Sequence, residues 1–192
     1  MVHGIVTAVT LAFLSAIACA EVDFSPRESF YLAEATKVPN VAFRNGKEDI
    51  TYSPPNSWGL SGGGRRLTLT PPNTPQAEAV MQTSPVLEPV PATDANLKAY
   101  TEFAVRQLPR EAAKVTVADA SISSLRIARQ DMVEVTLTYA LYGQQFSTNM
   151  LFLPYNKEQI LFQITARTAD FPALSKAFRS SLYSMQGFEA KQ

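Results

Sequence analysis

The chain has 192 residues, 46% of them hydrophobic, which suits one domain with a core of its own. Its 17 basic and 17 acidic residues cancel, and the missing basic excess argues against a dedicated nucleic-acid binder. The chain holds one histidine and one cysteine, His3 and Cys19, so chemistry built on either type is confined to the first twenty residues.

Those residues, 1–20, read as a signal peptide. Ile5 to Ala18 is an apolar run broken only by Thr7, Thr10 and Ser15, and it ends in Ala18-Cys19-Ala20, a small-x-small cleavage site. The run is too short for a comfortable membrane span, and no later stretch is long and unbroken enough to make one. The start carries only His3 where Lys or Arg is usual. The expected address is therefore periplasmic or extracellular, with a mature chain beginning at Glu21. A second reading stands beside it. Ser15-Ala16-Ile17-Ala18-Cys19 is similar to a bacterial lipoprotein signal, in which Cys19 is lipidated and tethers an envelope lipoprotein. That pattern has Leu where Ala16 stands, which favours plain cleavage after Ala20. Cleavage removes His3 and Cys19 together. Ser-His-Asp and Cys-His catalysis then lack their parts, as do disulfides and zinc sites of His or Cys. A metal would need oxygen ligands alone, and no calcium-loop spacing is present. No cofactor is expected.

Residues 21–38 mix charges with Phe24, Phe30, Tyr31 and Leu32 and read as a linker with one short ordered piece. A single domain is expected over 39–188, with 189–192 a tail. Val41 to Phe43 and Asp49 to Tyr52 are short strands about an Asn45-Gly46 turn signal. Ser53 to Gly59 holds two prolines and Trp58 and is not a central strand. Gly62-Gly63-Gly64 precedes Arg65-Arg66 and a strand, Leu67 to Thr70. A phosphate-cradling loop would lead into a helix and a Lys-Ser/Thr pair, so a flexible hairpin turn is expected instead. Ala77 to Thr83 is a further strand, and Ser84 to Pro91 a proline-rich crossing. Thr93 or Asp94 caps a helix to about Leu108, with Leu97, Tyr100, Ala104 and Leu108 inward and Lys98, Glu102 and Arg106 outward. Val115 and Val117 suggest extended chain, and Leu125 and Ile127 a strand.

From Asp131 to Arg167 the pattern is of three antiparallel strands, Met132–Tyr142, Gln145–Pro154 and Gln159–Arg167. Val133, Val135, Leu137, Tyr139 and Leu141 alternate with more polar residues, a period of two. Gly143-Gln144 suits a type II′ turn that sets Leu141 opposite Phe146, Leu137 opposite Met150 and Val135 opposite Phe152. Phe152 against Ile160 and Met150 against Phe162 extend the apolar face. The opposite face, with Glu134, Asn149 and Gln163, is expected to be more loosely covered. Asp170 caps a last helix with Pro172 in its first turn and Phe171, Leu174, Phe178, Leu182 and Met185 as its stripe; Gly187 suits its stop.

Ile50-Thr51-Tyr52-Ser53-Pro54-Pro55-Asn56-Ser57-Trp58, the Val133–Arg167 meander and Phe178-Arg179-Ser180-Ser181-Leu182 together resemble the PsbP-like fold family, over roughly 38–188. The family takes in the PsbP subunits of photosystem II, the Ran-binding nuclear import factor of the same fold, and bacterial exported proteins and secretion chaperones. The resemblance implies an α+β fold, a central antiparallel β-sheet flanked by helices in an α/β/α sandwich. It also implies a binding or assembly role rather than catalysis, and it transfers no site. The histidines that photosynthetic members use for ions have no counterpart in the mature chain.

Two function classes follow: an exported accessory module with a protein partner, or a small-ligand binder or carboxylate-dependent enzyme of the envelope. Glu48-Asp49 and Asp131 with Glu134 are the candidate acid pairs, each more simply a turn or a solvated face unless burial raises one pKa. Trp58, Arg65 and Arg66 are the candidate binding residues, an aromatic and two cations on one loop. A core role for Trp58 and a solvated loop for the arginines are the plainer readings.

Overall fold

The structure, a computed structural model, describes residues 22–34 and 36–188. The stretch 1–20 expected to be a signal peptide, with Cys19, and also Glu21 and the 189–192 tail lie outside the described residues. In chain order the strands are β1 (Val22–Ala33), β2 (Thr36–Asn45), β3 (Glu48–Tyr52), β4 (Gly59–Gly63), β5 (Arg66–Thr70), β6 (Glu78–Pro85), β7 (Ala113–Ile122), β8 (Val133–Leu141), β9 (Gln144–Tyr155) and β10 (Glu158–Arg167). Helix α1 (Leu97–Arg106) falls between β6 and β7, and α2 (Phe171–Leu182) follows β10. The strands form two antiparallel sheets, one ordered β1-β2-β3 and one of seven strands ordered β4-β5-β6-β10-β9-β8-β7. The fold is α+β, mostly antiparallel sheet with two helices.

The β8-β9-β10 meander follows the sequence pattern, but both turns differ. The first turn is Tyr142-Gly143, with φ of 49° and 79°, the positive pair that a type I′ turn requires. Tyr142 takes the left-handed conformation that was expected of Gly143 alone. Pairing therefore moves two residues, to Val133 with Phe152, Val135 with Met150 and Tyr139 with Phe146. An even shift keeps the same side chains on the same face. At the second turn, which spans Asn156-Lys157, Tyr155 pairs with Glu158, and Phe152 meets Leu161 rather than Ile160. That one-residue difference puts Ile160, Phe162 and Ile164 on the opposite face, alongside Leu151 and Leu153.

Each face consequently has a core. On one, Val133, Val135, Met150, Phe152 and Leu161 pack with Tyr100 and Ala104 of α1. On the other, Leu151, Leu153, Ile160 and Phe162 pack with Phe178 and Leu182 of α2, and with Phe43, Ile50 and Tyr52 of the small sheet. The face expected to be loosely covered carries the larger cluster. Both helical stripes point inward as their spacing implies, with Leu97, Leu108, Phe171 and Leu174 partly buried at the margins.

Four local expectations are corrected. The described part of 21–38 is not a linker: it forms β1 and the start of β2. Val22 and Phe24 are fully buried, and Pro26 lies where the β1–β2 register breaks, the place a strand tolerates proline. Leu125 and Ile127 are buried but stand in a loop with a single bridge to Gln130, not in a strand. Neither Thr93 nor Asp170 makes a side-chain cap; a short 3-10 turn, Asp94–Asn96, leads into α1, and Asn96 Nδ2 donates to the Pro91 carbonyl at 2.9 Å. Gly187 does not stop α2. It lies beyond the helix, where the chain doubles back along β3 and Gln186 exchanges backbone hydrogen bonds with Thr51 at 3.0 and 3.1 Å. A Cβ at Gly187 would stand 2.2 Å from the Asp49 carbonyl oxygen, and its φ is +92°. Close approach to another backbone is the reason for glycine there.

Candidate functional site

Trp58, Arg65 and Arg66 do not come together. Trp58 precedes β4 and is half-buried, its ring stacked on Phe178 with centroids 6.4 Å apart and planes 7° apart. It anchors α2 to the small end of the large sheet. Arg65 and Arg66 lie beyond the other end of β4, seven and eight residues on, across a five-residue strand that spans about 17 Å at the rise of extended chain. Both are exposed. The Arg65 carbonyl accepts from Thr83 N at 2.9 Å, and Arg66 Nη1 donates to Gln82 Oε1 at 2.8 Å. Gly64-Arg65 is the hairpin turn expected of the glycine run. Gly64 also binds β1: its carbonyl accepts from Phe24 N at 2.7 Å and its amide donates to Ser25 Oγ at 2.9 Å.

The candidate acid pairs separate in the same way. Asp49 is exposed and pairs with Arg27. Asp131 pairs with Arg126 at 2.8 Å, also near solvent. Glu134 turns away from Asp131 into a polar cluster under α2. Its Oε2 accepts from Arg179 Nη1 at 2.5 Å and from Ser123 Oγ at 2.9 Å, and its Oε1 accepts from Asn149 Nδ2 at 2.9 Å. Arg179 also donates to Ser123 and Ser124 through Nη2. Every group in this cluster has a partner, and its effect is to fasten α2 to β8. The sequence offered a signal for it, an arginine next to the buried Phe178, but not the register that delivers Glu134 to it.

The titrations that move are mostly those of tyrosines. Burial pushes the Tyr100 phenol up to about 12. Burial likewise raises Tyr52, against the pull of a hydrogen bond with Ser181, and raises Tyr139, helped by the charge of Glu78. Asp23 is held below the usual carboxylate range, first by the Ser25 hydroxyl and then by the Ser25 amide. Among the described residues no three His, Cys, Asp or Glu side chains converge as metal ligands do.

The surface that stands out is the outer half of the β1–β2 hairpin. Val41 pairs with Tyr52 and Phe43 with Ile50, which places Phe43, Ile50 and Tyr52 on the core side of the small sheet. Two-residue alternation carries the same side outward through Val41, Pro39 and Lys37 on β2, opposite Glu28, Phe30 and Leu32 on β1. Past Val41 none of the described residues covers it: Phe30 is 54% exposed and Leu32 68%, with the Lys37 ammonium 4.4 Å above the Phe30 ring. Tyr31, on the reverse side, is 47% exposed. Among the described residues β1 is also an edge strand, so from Arg27 to Ala33 its outer backbone groups face no described neighbouring strand. The arm was hidden in the sequence by Pro26 and the charges around it.

No family model matches the chain, and no curated protein matches it. Among solved structures the chain is similar to the protein of unknown function PA94 from Pseudomonas aeruginosa, with a TM-score of 0.45 and 13% identity over 81% of this chain and 93% of that one. A likeness of that degree carries no function across.

Proposed function

We propose that this chain is an exported, non-catalytic accessory module that binds a protein partner through the β1–β2 arm. The observation that carries the reading is the apolar side of the small sheet running uncovered past the body at Phe30 and Leu32. Contiguous exposed apolar surface on an edge strand suits an extended apolar segment of another protein, which adds backbone hydrogen bonds along Arg27–Ala33 and seats side chains on the two residues. One helix on each side of the seven-stranded sheet supports the α/β/α sandwich of the PsbP-like kind, whose known members are mostly binding or assembly factors. The leader at 1–20 supports the envelope address.

A photo-crosslinking residue at position 32, in cells of the source organism, is expected to trap a discrete partner. The same residue at the exposed Lys98 position is expected to trap none, and Phe30→Ser is expected to abolish the product. Undiminished capture by a folded Phe30→Ser, Leu32→Ser variant would move the interface elsewhere. Mass spectrometry of the mature N-terminus should begin at Glu21, whereas a diacylated Cys19 would make the protein a tethered lipoprotein. A reproducible turnover abolished by one Asp or Glu substitution would overturn the non-enzyme reading.

A further inference from the structure

On the far side of the molecule from the small sheet, a groove of about 510 Å³ runs between α1 and the 86–91 loop over β6 and β10. That is within the range of small-ligand sites, roughly 300–1,000 Å³. Its walls are Ala99 and Phe103 from α1 and Val86 and Val90 from the loop, and its floor is Tyr100 and Gln159. The walls are held in place. Phe103 packs edge-on to Phe152, at 5.6 Å and 71°. The loop is tied at Val86, whose N–H donates to the Lys157 carbonyl at 2.9 Å, and at Val90, whose carbonyl accepts from the Tyr100 hydroxyl at 2.5 Å.

The floor is incompletely satisfied. Gln159 is 9% exposed, and its Nε2 donates to the Ile160 carbonyl at 3.3 Å, an orientation that avoids setting two oxygens together and turns Oε1 toward Tyr100. The approach to its Oε1 is from Tyr100 Oη at 3.4 Å. The phenol has one proton and already gives it to Val90. Gln159 Oε1 therefore has only a long contact from a hydroxyl whose proton is shared with a nearer acceptor, and it keeps room for a further donor at the bottom of the groove. At the mouth stands Arg106, its guanidinium 5.8 Å from the Phe103 ring. Arg66 adds a second positive charge behind the Gln82 wall, against the single carboxylate of Glu88. Tyr100 and Arg106 lie six residues apart on α1, about 9 Å along its axis.

We infer that the groove is a binding site for a small hydroxyaryl acid. The hydroxyl donates to Gln159 Oε1, the ring lies between Phe103 and the valines, and the carboxylate faces Arg106. The site is independent of the arm, and its occupant is a metabolite-sized anion rather than a protein.

The probe is 3-(4-hydroxyphenyl)propionate, titrated calorimetrically into the full mature chain. Saturable one-to-one binding is expected. 3-Phenylpropionate, which lacks the hydroxyl, should bind about tenfold more weakly, the effect of one lost hydrogen bond at an acceptor left with only a long contact. Gln159→Leu should remove that discrimination. Arg106→Gln should weaken the acid by a similar factor while leaving the melting temperature unchanged, since Arg106 is exposed. Ala99→Trp, at another exposed position, should fill the groove and abolish binding in a protein that still unfolds cooperatively. Absence of saturable binding at millimolar probe overturns the proposal, as does undiminished binding to Ala99→Trp. Tyramine binding more tightly than the acid would overturn the charge assignment in favour of Glu88.

Discussion

Phe178→Ala tests the centre of the larger core. Phe178 is 1% exposed, sits with Leu182 in the cluster under α2, and carries the half-buried Trp58 ring on one face. Truncation loses the transfer energy of a buried phenyl group, about 2–3 kcal/mol, and leaves a space that the rigid strands beneath cannot collapse into. Together these give about 3–5 kcal/mol, the usual range for a buried Phe cut to Ala. The stacked pair contributes about 0.5–1.5 kcal/mol within that figure, so Trp58→Ala should be non-additive with Phe178→Ala by that amount. In urea, at a slope of about 2 kcal/mol/M, the Phe178→Ala midpoint should fall by about 1.5–2.5 M with the slope preserved. Ser180, two residues on and exposed, is the control: Ser180→Ala should shift the midpoint by less than about 0.3 M. Equal midpoints for the two variants would show that α2 does not present this face to the sheet. Strict additivity with Trp58→Ala would show that the rings do not touch in solution.

Three further outcomes follow from the geometry. Glu134→Gln and Arg179→Met should show a coupling of about 1–3 kcal/mol in a double-mutant cycle by urea unfolding, since their side chains are only 17% and 25% exposed and share Ser123; zero coupling would put Arg179 in solvent. Gly187→Ala should lower stability by more than about 1 kcal/mol, because its Cβ meets the Asp49 carbonyl and its φ is positive; an unchanged melting temperature would mean the tail is not docked on β3. Burial favours the neutral Tyr100 phenol, so its contribution is complete below the ordinary phenol value of about 10 and is lost as pH rises toward about 12. Tyr100→Phe should therefore decline less steeply over that window, and parallel alkaline profiles would refute the assignment.

The elements that were legible in the sequence are those whose side chains see two different environments. β8 alternates buried and half-buried residues, and its face was readable, as were its bounds to within one residue at each end. β9 and β10 are buried on both sides, so their patterns carry little that distinguishes one face from the other, and the register against β8 and β10 had to rest on turn chemistry. That rule failed at the first turn because Tyr142 adopts a left-handed conformation, with φ of 49°, where so bulky a residue seldom does; at the second, Asn156 and Lys157 close a tight turn that moves the register by one residue. β1 was obscured because its proline sits at a register break that only its partner reveals. The grouping of Trp58 with Arg65 and Arg66 took nearness in sequence for nearness in space, and a strand between them keeps them apart. Neither the arm nor the groove has a local signature. Phe30 and Leu32 read as part of a linker and become an uncovered apolar face only once the other described residues are in place, and Gln159 stands out as an acceptor only because the Tyr100 hydroxyl is shared with Val90.

The place of β10 in the sheet has a consequence for how the chain is made. It stands between β6 and β9, so the β4-β5-β6 and β7-β8-β9 ribbons share no strand pairing except through it. Among the described strands it is also the last to be synthesised. Until residues 158–167 are available, each ribbon presents an open inner edge, and the sheet closes only by insertion of that strand between its two neighbours. A nascent chain stopped short of Glu158 would hold two half-sheets able to pair with each other directly, in a strand order the complete protein never adopts. Those two unpaired edges are the places where mispairing and aggregation start until β10 is inserted.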